Sequence, residues 1–531
     1  MRSILLAALF AGTLETTSGA DSIKLHPYPQ KFATLYLPSD PVVPDALKRA
    51  PVLPPSADVN CVATAAGASW FGTRSGLVRT EDAGDPLDRR QYFAGRRYLP
   101  DDDVLNIVPD SSTGVWARTS TGVSHIELRF MTLAQKAEYF DRRVHERHDR
   151  YGLVASSILR ALGDLKSNQL DPSDNDGLWT AIYAAAKSFR YAVTRSPEAL
   201  AYAKKSIEAV LFLERVTGRP GFPARSYIRR GDFREQDGIW HWTPDLHYEW
   251  KADTSSDEIV GHFFLFSVAW DLLPDPDVKQ RIAATARRIA DHILEHGYNL
   301  TDINGKPTTW GRWSCEYFES KNGKADSPLN SLELLSILKT AAHVTGDAKY
   351  ETAYRRAAWD LKYLEQATRL AELTHEINYS DEELAMLSFY PIFRYERDPR
   401  LLNQYRSAAD QWWRNIQREW NPLWTLIYLQ SQPRKPVNLA GAVWTLYRIP
   451  MDLIEWTVRN SSRRDIPVDG AHDRFSQGQS AILLPPDERP VMKWNGNPFQ
   501  LDGGNGGRTE DDGAFFLLPY WMGRYLGLLL E

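Results

Sequence analysis

A chain of 531 residues has room for one large domain or two to three ordinary ones, and 43% hydrophobic with 25% charged residues excludes global disorder. Lys+Arg 63 against Asp+Glu 68 leaves a net charge of −5, which speaks against a nucleic-acid binder. Cys61 and Cys315 are the only cysteines, so one bridge could form but a disulfide framework is excluded; no CxxC or His/Cys cluster marks a zinc site.

The chain opens with Arg2, an apolar run Ile4–Ala11 and small residues Ser18-Gly19-Ala20. That layout predicts a cleavable export signal over 1–20 and a secreted or periplasmic protein. Neither this run nor any later one is long enough to span a bilayer. Residues 21–58 are Pro-rich and aperiodic and read as an extended segment. A repeat follows: Ser69–Leu77 returns as Val115–Val123, with Trp, Thr and Gly each recurring 46 residues on. A Trp strand and a Gly turn at that period fit propeller-blade hairpins. Two copies cannot close a ring, so 59–130 is expected to be a small β module.

From 131 the pattern is helical to the end of the chain. Leu178–Ala186, His262–Trp270, Leu329–Ala342, Leu384–Phe393 and Ala514–Leu530 are apolar nearly all round, whereas 197–215, 277–296, 347–369 and 398–419 carry one charged face. A helix apolar all round is buried and a striped one lies at the surface. Their alternation predicts a mainly α fold, an (α/α)6 toroid with an inner and an outer helix ring over 131–531. A solenoid would show a repeat of about 34–47 residues, and none is present.

Acidic clusters precede or open each apolar helix: Asp174-Asn175-Asp176, Asp253 to Glu258, Asn330 and Glu333 opening the third, Asn378 to Glu383, and Glu510-Asp511-Asp512. If successive helices are antiparallel, all inner helices point one way and these clusters share one mouth. Helix caps explain part of the pattern, since Ser255–Glu258 and Ser380–Glu383 fit the capping box; the surplus acids do not follow from capping. His262 lies four residues after Glu258, on the same helix face. Trp240, Trp242, Trp310 and Trp313 fall in loops, where indole rings suit stacking on sugar faces. GxSxG, Walker, Rossmann and HExxH motifs are missing. No cofactor is expected, although Asp174, Asn175 and Asp176 offer oxygens to a structural calcium.

Taken together, the export signal, the loop tryptophans and the acid-lined mouth resemble carbohydrate-active enzymes of the (α/α)6-barrel type. Asp253–His262 and Leu518–Tyr525 resemble segments of exported bacterial proteins that join a helical domain to two-component-regulator-propeller-type repeats. The resemblance implies the fold and an oligo- or polysaccharide substrate, and assigns no catalytic residue. Three readings stand. A glycoside hydrolase needs a protonated and an ionised carboxyl, here Asp176 with Asp257 or Glu258, Glu382 in reserve and His262 nearby. A polysaccharide lyase would use His262, His375 or Tyr379 as base, with Asn378 and Arg225 on the substrate carboxylate, though a carboxylate-lined mouth repels a polyanion. A non-catalytic glycan binder would use the tryptophans alone.

Overall fold

The computed structural model describes residues 21–47, 59–82, 85–110, 114–234, 236–373, 377–493 and 495–531. The expected export signal at 1–20 and His375 lie outside the described residues.

Twelve helices build the body. They are α1 (Leu133–Arg147), α2 (Asp176–Thr194), α3 (Pro197–Arg215), α4 (Ser256–Leu272), α5 (Pro276–Glu295), α6 (Gly323–Thr345), α7 (Ala348–Arg355), α8 (Tyr379–Tyr395), α9 (Pro399–Ile416), α10 (Pro422–Ser431), α11 (Leu439–Arg448) and α12 (Ala514–Tyr525). Short helical turns lie between some of them. Each even-numbered helix packs on the next, and α12 closes back on α2. The odd-numbered helices cover this ring from outside, α3 on α2, α5 on α4 and α6, α9 on α8 and α10, and α1 on α12. The body is an (α/α)6 toroid, as the alternation predicts.

Local chemistry starts the helices where the chain must turn. Ser196-Pro197, Asp275-Pro276, Asp398-Pro399 and Asn421-Pro422 each place a capping side chain before a proline at the first helical position. Such a cap contributes about 1 kcal/mol, and the proline gives up no hydrogen bond there. The inner helices follow another rule. Ser255 makes no side-chain cap bond to its own helix. Instead its hydroxyl meets Asn175 Oδ1 at 3.3 Å, and Glu258 accepts the Gly177 N–H at 3.1 Å. The expected capping box is replaced by a cap across helices, because the parallel starts of α2 and α4 lie side by side.

Several elements differ from expectation. Residues 347–369 form α7, a π turn at Arg356–Asp360 and a short helix at Tyr363–Ala367 rather than one helix. The inner helix α10 and outer helix α11, ten residues each, lacked a readable period. The last helix stops at Tyr525, and Leu529–Leu530 pairs in parallel with Ile23–Lys24, tying the two ends of the described chain together.

The β module has two four-stranded antiparallel sheets. With β1 at Ile23–Lys24, the first sheet runs β3 (Val59–Ala65), β4 (Ala68–Thr73), β5 (Gly76–Thr80) and β6 (Arg90–Phe93). The second is ordered β2 (Tyr28–Tyr36), β9 (Val123–Met131), β8 (Val115–Thr119) and β7 (Val104–Pro109). Part of the segment expected to be an extended strap is thus a nine-residue strand paired along all of β9. Trp70 and Trp116, the repeated tryptophans, occupy corresponding strands; Trp70 is buried with Leu77, Phe93, Val104 and Ile126 in the core the sheets share.

Buried charges weld the module to the toroid. Arg448 of α11 pairs with Asp88 at 2.9 Å, Asp487 at 2.8 Å and Glu488 at 3.2 Å, and Lys31 of β2 pairs with the same Asp487. Lys136 of α1 donates to Gln30 and to the carbonyls of Leu446, Tyr447 and Ile449. Cys61 and Cys315 are both free. Among the described residues no helix is long and apolar enough to cross a membrane.

Candidate active site

Contacts at both ends of the ring fix its polarity. At one end Asn175 before α2 donates to Asp257 in the first turn of α4 at 3.4 Å, and Glu333, midway along the longer α6, bonds Ser256 of α4 and feels the charges of Asp257 and Asp381. Asp381 of α8 feels Asp326 of α6, Glu382 bonds Glu419 before α10, and Lys493 joins Asp511, before α12, at 2.6 Å while lying 5.2 Å from the Trp179 ring of α2. At the other end Arg394 and Tyr395 of α8 and His343 of α6 meet Asp271, in the last turn of α4. The inner helices are parallel, and their acidic starts surround one mouth.

Within this mouth the carboxyls divide into two sets. The first is inside the protein. Asp176 has no exposed surface; its oxygens accept from Arg150, the Ser226 hydroxyl, and the Ser173 hydroxyl and N–H at 2.8 and 3.1 Å. Glu258 is equally buried and caps α2, and burial together with the Asp176 charge pushes its carboxyl well above the usual range. His262 is also fully buried; its Nδ1 donates to the Glu258 carbonyl at 2.6 Å, and burial lowers its pKa to about 4, so the ring is neutral. Glu258 thus joins the start of α2 to α4, Asp176 ties the start of α2 to Arg150 and Ser226, and His262 bonds back within α4; all three are buried away from solvent. Glu382 is 2% exposed and shares a hydrogen bond with Glu419, whose pKa burial raises to about 8.

Of the second set, Asp257 and Asp381 reach the rim. Asp257 is half-buried and raised by desolvation. Asp381 is half-buried, accepts from Asn378 Nδ2 at 2.7 Å and is raised to about 7, first by desolvation, then by the charges of Asp326 and Asp257. Beneath them Glu333, fully buried, accepts from Trp313 Nε1 at 2.7 Å and is raised to about 8 by burial. Asp511 is raised to about 6 by burial, against the pull of Lys493. Like charges that cannot all ionise together keep part of the set protonated near neutrality.

The tryptophans separate in the same way. Trp313 is buried and orients Glu333 rather than facing solvent. Trp240 is half-buried with Arg234 and Lys251 over its ring, at 5.0 and 5.8 Å. Trp242 and Trp310 are exposed, 45% and 57%. Tyr379 is 9% exposed, and burial raises its phenol far out of a base's range. Arg225 spends its guanidinium on the carbonyls of Asp253 and Asp174, at 2.6 and 3.0 Å. Asp174 pairs with Lys251 at 2.6 Å and Asp176 with Arg150. Of the oxygens considered for calcium, those of Asp174 and Asp176 thus face Lys251 and Arg150, and Asn175 Oδ1 accepts from the Ser255 hydroxyl.

Sequence reasoning placed Glu333 and Asp511 among the acids of the mouth without giving them a role, held Glu382 rather than Asp381 in reserve, and did not connect Lys493 or Trp179 with the mouth. The acids stood in the clusters; their helical phase did not, since a helix apolar all round has no polar stripe to show which side meets the axis.

No protein-family model matches the sequence, and no curated protein does. Among solved structures, the family 76 glycoside hydrolase (mannosidase) Bt3792 of Bacteroides thetaiotaomicron superposes with a TM-score of 0.40 at 10% identity, over 75% of this chain and 98% of its own. A thermostable endoglucanase from Alicyclobacillus acidocaldarius gives 0.40 at 11%, over 88% and 99%. A sugar epimerase from a ruminal bacterium gives 0.37 at 12%, over 74% and 98%. Likeness at this level transfers neither activity nor residues to this chain.

Proposed function

We propose that the protein is a glycoside hydrolase acting on an oligo- or polysaccharide, with Asp381 and Asp257 as its working carboxyls. The observation that carries this reading is the pair itself: two half-buried carboxyls on the rim of one mouth, one raised to about 7 partly by the charge of the other. Glycosidic cleavage needs one carboxyl protonated and one ionised at the same pH. Asp381, holding its proton, delivers it to the leaving oxygen as the C1–O bond breaks. Asp257, ionised, faces the positive charge developing at C1 and takes a proton from the water whose hydroxyl bonds to C1 and completes hydrolysis. Glu333 keeps the mouth from carrying full negative charge, and Lys493 balances Asp511 and Asp512 at the far wall.

A screen of the purified protein against diverse glycans tests this, reading reducing ends together with the ultraviolet absorbance of unsaturated uronate products. Reducing ends alone, abolished in Asp381→Asn and Asp257→Asn, support the hydrolase. Both signals would support elimination, and neither signal with binding retained would leave a glycan-binding protein.

A further inference from the structure

A groove of about 690 Å³ lies beside the mouth, between the hairpin formed by Asn299–Thr301 with Pro307–Arg312 and the start of α6. Its size falls within the roughly 300–1,000 Å³ of ordinary ligand clefts. Trp310 forms one wall, 57% exposed, and among the described residues neither a ring nor a cation covers its indole. An exposed indole carried on a paired strand offers a flat apolar face at little ordering cost, the feature a sugar ring stacks on. Thr309, Arg312, Lys321 and Asn322 supply hydroxyl, cationic and amide groups around it.

Both ends of the groove are tied to the mouth. The Thr309 N–H donates to Asp253 Oδ1 at 2.7 Å, and the Asp253 N–H donates to Asp302 Oδ2 at 3.0 Å, so the hairpin is clamped to the residue that leads into α4. At the other end Arg312 stacks 4.4 Å from the Tyr317 ring, and the Tyr317 hydroxyl donates to Asp326 at 2.5 Å. Asp326 lines the groove and is also one of the charges acting on Asp381. Ala325 lines both this groove and the small cavity that Asp381 lines, so the groove adjoins Asp381.

We infer that the substrate is a glycan chain of several sugars, and that this groove binds the portion extending beyond the cleaved bond, with Trp310 as its stacking platform. The inference rests on the hydrolase reading for the bond cleaved, and on the groove alone for the chain bound. Of the other candidate tryptophans, the Trp240 ring is already taken by Arg234 and Lys251, and Trp313 is buried.

The test compares gluco-, manno- and xylo-oligosaccharides of increasing length, from disaccharide to hexasaccharide. For the backbone that is cleaved, kcat/KM should climb with chain length. Trp310→Ala should lower the hexasaccharide value by about tenfold, mainly through KM, a loss equivalent to about 1.4 kcal/mol. That loss should grow with chain length, and Trp310→Phe should restore most of it. Trp359→Ala, at another exposed tryptophan, follows α7 on the outer ring and serves as the control. Equal losses at every length, or none, overturn the groove assignment. If no oligosaccharide is cleaved, fluorescence titration with the three hexasaccharides decides separately. Binding that needs Trp310 keeps the groove while the hydrolase reading falls; hexasaccharide binding indifferent to Trp310, or absent, removes the groove.

Discussion

Asp176 and Arg150 offer a clean separation of structural from catalytic carboxyls. Asp176 Oδ2 accepts from Arg150 and Ser226, Oδ1 accepts twice from Ser173, and neither Asp176 nor Arg150 is more than 5% exposed. Removing the carboxylate leaves the guanidinium with the Ser226 hydroxyl at 2.9 Å, while its Nε and Nη1 already lack a partner among the described residues. Breaking one side of such a buried pair costs about 3–5 kcal/mol, a large part of the roughly 5–15 kcal/mol that holds a native protein together. Asp176→Ala should therefore lower the urea midpoint steeply. Asp176→Asn should fall between, because its amide group turns one acceptor into a donor facing other donors. The double variant Arg150→Met with Asp176→Leu removes both charges and should cost clearly less than the sum of the single losses, since paired buried ions are often replaceable by apolar residues of similar volume. Urea denaturation of these proteins, together with Arg150→Met and Asp176→Leu alone, measures this without any substrate. An Asp176→Asn protein with an unchanged midpoint and turnover reduced about 10²-fold or more would refute the structural assignment and return Asp176 to the catalytic set.

Asp257→Asn and Asp381→Asn should behave in the opposite way, losing about 10²-fold or more in kcat with little change in melting temperature, because each is partly exposed at the rim and general acid–base catalysis is worth about 10²–10⁴-fold. As the protonated acid, Asp381 at about 7 makes kcat/KM fall as pH rises above neutrality, a limb that Asp381→Asn should abolish. The same raised carboxyls set stability. Asp381 at about 7 and Glu333 at about 8 are held above their unfolded values, so the folded state keeps more protons. Their contribution is full below about pH 4 and is lost as pH rises through 7 to 8; Glu333→Gln should flatten that decline in denaturation midpoints. Gly261→Ala should destabilise by about 1–3 kcal/mol, since its Cβ would meet the Leu178 Cα at 2.7 Å and force α4 away from α2, an effect visible in thermal melts.

Much of the architecture was written locally. Helices 277–296 and 398–419 show a charged stripe, His262–Trp270 and Leu329–Ala342 show none, and that contrast alone separates outer from inner positions, because burial on all sides tolerates no solvated face. The acids before each inner helix were equally visible, and the direction of the helices brought them to one mouth. What the sequence left undetermined was phase and distant pairing. Asp257 and Glu258 are adjacent, about 100° apart around one helix, yet one meets the rim and the other caps α2. Only the packing of α4 between α2 and α6 chose between them. The strand Tyr28–Tyr36 gave no sign of its partner because β9 begins at Val123, and long-range pairing leaves no local period. The ten-residue helices α10 and α11 were too short to display one. Lys493 reaches Asp511 and Trp179 from an aperiodic loop, where the toroid's closure, rather than any neighbouring residue, decides what a side chain meets.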